Sequence, residues 1–181
     1  KQTDLAKTIK KIMKDGHRSF YTGGFAKRMV ESVQNNGGIW SEGDLNRYKV
    51  LEREPVRSSY KGISIIAPGL PSSGGLVLSN ALNILAGYEL DKLSPTTQKH
   101  LIIESLRRAY YERALKMGDP DFMDNTLEFL LTPSYAAKQR KSLNINYATD
   151  NQTLEFADPP YQGQGNDTTH FAVIDKFGNR V

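Results

Sequence analysis

The 181 residues carry 38% hydrophobic and 24% charged side chains, the balance of a globular chain able to bury a sizeable core rather than of a disordered tail. The formal net charge of +4 comes from 24 basic and 20 acidic residues spread along the chain, and no basic run is interleaved with aromatics, which argues against nucleic-acid binding. With no cysteine, disulfides, thiolate metal sites and cysteine nucleophiles are excluded, and no apolar run reaches the ~20 residues that span a bilayer.

Leu5, Ile9, Ile12 and Met13 recur at helical spacing, with Thr3 or Asp4 as the N-cap and Gly16 as the stop. The lysines around this stripe suit a membrane-surface helix or, more commonly, a solvated outer face. A second helix is expected through Ala26, Met29, Val30 and Val33, ending at Asn36-Gly37-Gly38. Ser41 then opens a short helix in which Asp44, three residues on, completes a capping box. Residues Val56 to Ala67 read as extended, Ile63 and Ile65 alternating with Ser64, until Pro68, Gly69 and Pro71 break the run. Gly74-Gly75 leads into a helix with Leu78, Leu82, Leu85 and Ala86 on one stripe. The longest helix follows Pro95; its spacing turns Ile102, Leu106, Ala109 and Tyr110 inward and sets Glu104 and Arg108 as an exposed i,i+4 pair. Gly118 to Phe122 reads as a turn, and Pro133 opens another short helix.

Periodicity ends near Leu143. Residues Asn144 to Asp167, rich in Asn, Gln, Gly, Asp and Pro, read as a long surface loop of the kind that is functional or mobile. Thr169 to Asp175 is a strand candidate with Phe171 and Val173 on one face, and Lys176-Phe177-Gly178-Asn179 turns it into a hairpin that stops at Val181. Lys1 rather than Met opens the chain, in a polar segment without a signal-peptide pattern. A preceding part and a continuation are both expected.

The segment Thr168-Thr169-His170-Phe171-Ala172-Val173-Ile174-Asp175-Lys176-Phe177-Gly178-Asn179 resembles the start of the small subunit of gamma-glutamyltranspeptidases. The rest of the chain is similar to that family in order and spacing. The similar blocks are Asp4-Leu5-Ala6-Lys7 with Phe20-Tyr21-Thr22-Gly23, Asn36-Gly37-Gly38-Ile39 with Asp44-Leu45 and Tyr48, Pro71-Ser72-Ser73-Gly74-Gly75, Ala109-Tyr110-Tyr111-Glu112-Arg113, and Gly118-Asp119-Pro120-Asp121-Phe122. Tyr111-Glu112 stands where the family often has Ala-Asp, and Gly69-Leu70 replaces prolines before Pro71.

The resemblance implies an α+β fold, part of a four-layer αββα N-terminal-nucleophile hydrolase, with this segment mainly helical and carrying a few strands. Residues 1–167 would be the C-terminal part of a large subunit, with 144–167 the loop before the cleavage site. Residues 168–181 would be the truncated first strand and hairpin of a small subunit. Thr168 would be the nucleophile and Asp167–Thr168 the bond that the precursor cuts in itself. A Thr hydroxyl needs a base, and an N-terminal Thr carries one in its own α-amine, whose pKa near 7.7–8.0 leaves it partly neutral. The implied partners are a γ-glutamyl small molecule, an amino-acid or peptide acceptor, and the remaining segments of both subunits. No cofactor is implied, the implied location is periplasmic or extracellular, and this segment alone is expected to be inactive. Two alternatives stay open: a related hydrolase of the same architecture (a poly-γ-glutamate depolymerase or a cephalosporin acylase), and a non-catalytic scaffold homologue.

Other chemistry-bearing residues have plainer readings. Thr169 and His170 lie beside the nucleophile, and strand alternation turns His170 to the other face, a structural place rather than that of a general base. Ser72 and Ser73 could form a nucleophile pair, but a Ser N-cap is the commoner meaning. Gly74 and Gly75 could cradle an anion at a helix start, although no Lys-Ser/Thr follows to make a P-loop. His17 and His100 are isolated and no metal site is expected; Asp119 and Asp121 touch solvent or a cation.

Overall fold

A computed structural model of the chain describes residues 1–123, 126–151, 153–154 and 176–180. The chain divides into two units, Lys1–Glu52 and Arg53–Val181.

In the first unit, α1 (Thr3–Asp15) begins after Gln2 with no side-chain cap, so neither Thr3 nor Asp4 caps it. Both lie inside the helix, where the Thr8 hydroxyl donates to the Asp4 carbonyl at 3.1 Å. Gly16, at φ 75°, ends the helix by donating its N–H to the Ile12 carbonyl at 2.9 Å, a left-handed conformation that suits glycine. Leu5, Ile9 and Met13 are exposed. A four-residue helix, α2 (Arg18–Tyr21), follows where the sequence shows only an aromatic-glycine turn. Then α3 (Gly23–Asn35) buries Ala26 and Val30 against Leu45 of α4 (Glu42–Arg47), with Tyr21 and Met29 packed around them. The capping box is present: Ser41 N–H donates to Asp44 Oδ2 at 2.8 Å, and Asp44 N–H donates to Ser41 Oγ at 3.3 Å. The Ser41 hydroxyl also donates to Asp44 Oδ2 at 2.8 Å, and this bond, with that of the Ser41 N–H, holds the Asp44 carboxyl below its usual range.

The second unit opens with a hairpin, β1 (Val56–Tyr60) antiparallel to β2 (Ile63–Ala67), in the register Val56↔Ala67 to Tyr60↔Ile63. Lys61 and Gly62 both have positive φ, 47° and 82°, the signature of a two-residue turn that matches strand twist. Ile65 and Ala67 are half-buried, while Ile63, at the turn, and Ile66, on the other face, are exposed.

Helix α5 (Gly74–Leu85) contacts the hairpin, α6 (Pro95–Lys116), the 3-10 turn Glu128–Leu131 and α7 (Pro133–Lys141), so it is enclosed on most sides. Its buried residues include Leu76, Val77, Ser79, Asn80, Ala81, Ile84 and Leu85, whereas Leu78 and Ala86 are exposed. Of the expected Leu78–Leu82–Leu85–Ala86 stripe, only Leu85 is buried and Leu82 is half-buried. The inward face is shifted because Ser79 and Asn80 are core residues with hydrogen bonds: Ser79 Oγ meets Ser58 Oγ at 2.7 Å, and Asn80 Nδ2 donates to the Leu130 carbonyl at 3.2 Å. Leu76 packs with Leu127 and Leu130, and Val77 and Ala81 pack with Ala109.

Helix α6 (Pro95–Lys116) starts at Ser94, whose hydroxyl accepts from the Thr97 N–H at 3.2 Å. Its buried face is Leu101, Glu104, Ser105, Arg108, Ala109 and Glu112. Of the four residues expected to face inward only Ala109 does; Ile102, Leu106 and Tyr110 are exposed, as is Ile103. Gly118–Phe122 forms the expected turn, Asp121 N–H donating to Asp119 Oδ1 at 3.0 Å. Thr132 caps α7 by accepting from the Tyr135 N–H at 3.3 Å.

Candidate functional site

Thr168, Asp167, Thr169 and His170 lie outside the described residues, as do the expected strand 169–175, the loop from 155 to 167 and the boundary at 167/168. Lys176 and Phe177 form a turn, with Gly178 at φ 81°. The described residues build the platform from which the chain departs toward these positions.

That platform centres on Glu104 and Arg108, expected as an exposed pair but 1% and 2% accessible. One turn of α6 brings them together, Arg108 Nη1 donating to Glu104 Oε2 at 2.7 Å and to the Glu104 carbonyl at 3.2 Å. The second carboxylate oxygen takes Arg107 Nη1. Arg108 then reaches across to the chain that follows α7: Nη2 donates to the Ser142 carbonyl at 2.7 Å and to Thr149 Oγ1 at 3.0 Å, and Nε donates to Ser142 Oγ at 3.2 Å. The Thr149 hydroxyl in turn donates to Glu104 Oε2, and Arg107 Nη2 donates to Asn151 Oδ1. Nearby, His100 Nε2 and the Asn144 carbonyl lie 2.7 Å apart. Burial alone would raise the Glu104 pKa, but bonds from Thr149, Arg108 and Arg107 outweigh it and hold the carboxyl at about 2. Within the described part of the 144–167 loop, Asn144, Thr149 and Asn151 are thus tied to α6, while residues 145–148 between them are exposed.

Beside this network lies a cavity of about 410 Å³ lined by Arg108, Tyr111, Glu112, Tyr135, Gln139 and Ser142, among others. Tyr135 donates its hydroxyl to Glu112, which also pairs with Lys116. Burial and the Glu112 charge push the Tyr135 phenol above its ordinary value, so it is a proton-bearing donor at neutral pH rather than a base.

The remaining described candidates have these places in the fold. Ser73 occupies the N-cap position of α5 but makes no side-chain cap; its hydroxyl accepts from Arg113 Nε at 2.9 Å. Ser72 closes a turn, its N–H donating to the Gly69 carbonyl at 3.1 Å. A Cβ on Gly75 would sit 2.8 Å from both Ala67 Cβ and the Pro68 carbonyl, so this glycine lets α5 approach the hairpin, whereas a Cβ on Gly74 would meet open space. Asp121 holds the Arg53 guanidinium at 2.9 Å, with Asp119 at 3.9 Å. Among the described residues no cluster of three or more His, Asp or Glu side chains is arranged to hold a metal ion, and no helix is long and apolar enough to cross a membrane.

Sequence reasoning missed the Glu104–Arg108–Thr149 network. Its one visible signal is the i,i+4 spacing of opposite charges, which does not report depth. Thr149 had no signal at all.

The Gamma-glutamyltranspeptidase family profile matches residues 1–181. A "Glutathione hydrolase proenzyme" from Pseudomonas sp. strain A14 is 40% identical over 99% of this chain and 31% of its own length, so the chain spans about a third of that relative. An "Acylase ACY 1 proenzyme" from Pseudomonas sp. strain V22 is 34% identical over 99% of the chain and 32% of its own length. In three dimensions the chain is similar to the gamma-glutamyltranspeptidase of Helicobacter pylori, with a TM-score of 0.77 and 32% identity, covering 90% of this chain and 48% of that one. This segment, mainly helical with one two-stranded hairpin among the described residues, is thus part of an N-terminal-nucleophile hydrolase fold, and the chain belongs to the gamma-glutamyltranspeptidase family.

Proposed function

We propose that the protein containing this chain transfers γ-glutamyl groups from glutathione and related compounds to water or to an amino-acid or peptide acceptor. The observation that carries the reading is the family match across all 181 residues, together with the Thr168-Thr169-His170 segment inside it. In the precursor, Thr168 Oγ attacks the Asp167 carbonyl carbon. The peptide C–N bond breaks, an ester forms, and the nitrogen takes up a proton as the α-amine of Thr168. Water then hydrolyses the ester, leaving an Asp167 carboxylate and a free Thr168 hydroxyl.

In the mature enzyme that amine serves as the base for its own hydroxyl. Thr168 Oγ attacks the γ-carbonyl of the donor, the amine leaving group departs with a proton, and a γ-glutamyl ester remains for water or acceptor to collect. The tetrahedral intermediates need hydrogen-bond donors worth several kcal/mol, which we assign to segments beyond this chain. We place the enzyme in the periplasm or outside the cell.

A second reading is favoured by one observation, the acylase relative at 34% identity: the same nucleophile acting on a cephalosporin side-chain amide. Mass spectrometry of the full-length protein tests both. A new chain beginning at Thr168, absent in Thr168→Ala, is expected, along with release of the aniline from a γ-glutamyl anilide. An uncut chain favours a non-catalytic scaffold, and a cut chain that hydrolyses only the cephalosporin amide favours the acylase.

A further inference from the structure

Glu104 is almost fully buried, yet its carboxylate is only partly satisfied by its own helix. The rest of its hydrogen bonding comes from Thr149, in a stretch with no secondary structure of its own. Arg108 likewise spends three of its bonds on Ser142 and Thr149. A buried ion pair needs further hydrogen bonds to satisfy its remaining lone pairs and protons. This one is completed by the chain that runs on toward residue 168.

We propose that Glu104 and Arg108 are positioning residues for self-cleavage, holding residues 142–151 on a fixed course so that the chain reaches the scissile bond in a reactive geometry. This rests on the reading that the Asp167–Thr168 bond is cut by Thr168. Intramolecular attack depends on the fraction of molecules in the near-attack arrangement, and a chain that loses the Thr149 anchor, keeping only the Arg107–Asn151 bond beyond it, spends less time there. Loop-closure entropy alone is too weak to matter much, because lengthening the free segment by less than a factor of two changes the closure probability by less than about threefold. The larger contribution is directional. Thr149 is gripped by two partners of opposite charge, one at its hydroxyl hydrogen and one at its lone pair, which fixes the orientation of the segment as well as its position.

Thr149→Val removes both bonds while keeping the side-chain shape, and Thr149→Ser restores the hydroxyl. In the full-length precursor, maturation followed by mass spectrometry is expected to slow about tenfold in Thr149→Val and to recover to within about twofold in Thr149→Ser. Once fully matured, the Thr149→Val enzyme should show the kcat and KM of the unmodified enzyme, because the anchor acts before the cut. Ser58→Ala, which removes the Ser58–Ser79 bond elsewhere in the same unit, is the stability control and should mature at the normal rate. If Thr149→Val matures normally, or if Ser58→Ala slows maturation to the same extent, the positioning role is overturned while the cleavage reading stands. An unmodified precursor that is never cut overturns the cleavage reading itself.

Discussion

Replacing Arg108 by Met keeps much of the side-chain volume and removes the charge that faces Glu104. An exposed i,i+4 pair on a helix contributes about 0.3–0.5 kcal/mol, so a surface site would barely register the change. The structure places it differently: both side chains are almost fully buried, and Arg108 makes five hydrogen bonds, two to Glu104, two to Ser142 and one to Thr149. Removing one partner of a buried pair leaves an uncompensated charge and costs about 3–5 kcal/mol. Arg107 remains on the other carboxylate oxygen, which puts the expected loss near the lower end, about 3 kcal/mol. The assay is denaturant unfolding of the full-length protein, with every variant in a Thr168→Ala background so that all chains stay in one piece. Adding Glu104→Gln removes the stranded charge, so the double variant should lose about 2 kcal/mol less than the sum of the two single losses. A loss below about 1 kcal/mol for Arg108→Met, with additive behaviour in the double variant, would show that the pair behaves as a surface pair and refute the reasoning.

The same carboxylate predicts an acid response. The Glu104 pKa is lowered from 4.5 to about 2 in the fold, so its contribution to stability is fully present above about pH 4.5 and is lost as the pH falls toward 2. The loss is on the order of 3 kcal/mol, and Glu104→Gln should flatten that part of a stability-versus-pH curve; an unchanged slope counts against it. In the first unit, Ser41→Ala removes the hydroxyl half of the α4 capping box. Amide hydrogen exchange at Asp44 and its neighbours should then quicken roughly two- to thirtyfold, and unaltered exchange would mean that the cap contributes nothing.

Local chemistry was legible in the sequence wherever it depends on near neighbours. The Ser41–Asp44 box, the glycine stop at Gly16, the Pro133 helix start and the Gly118–Phe122 turn all follow from residues a few positions apart. Which way a helix faces depends on what packs against it, and there hydrophobicity misled. In α5, Ser79 and Asn80 are interior because the hairpin and the 3-10 turn offer them partners 21 and 50 residues away. In α6 the inward side is charged for the same reason, its partners lying in the stretch after α7. The four-residue α2 is too short to carry a period. Of the candidate site, the Thr168 segment lies outside the described residues; the Glu104–Arg108–Thr149 anchor was not legible, because it is assembled from residues about 40 positions apart in sequence.

Helix α6 hides glutamate and arginine and shows isoleucine, leucine and tyrosine to the outside of its unit. Hydropathy is therefore no gauge of depth along it. A surface-engineering scheme drawn from sequence would pick Glu104 and Arg108 as harmless places for charge reversal, labelling or solubilising changes, and would shield Ile103 and Tyr110. In this unit the order of risk is the reverse: a charge swap at either of the first two cuts the tie between a 22-residue helix and the strand of chain that leads away from it.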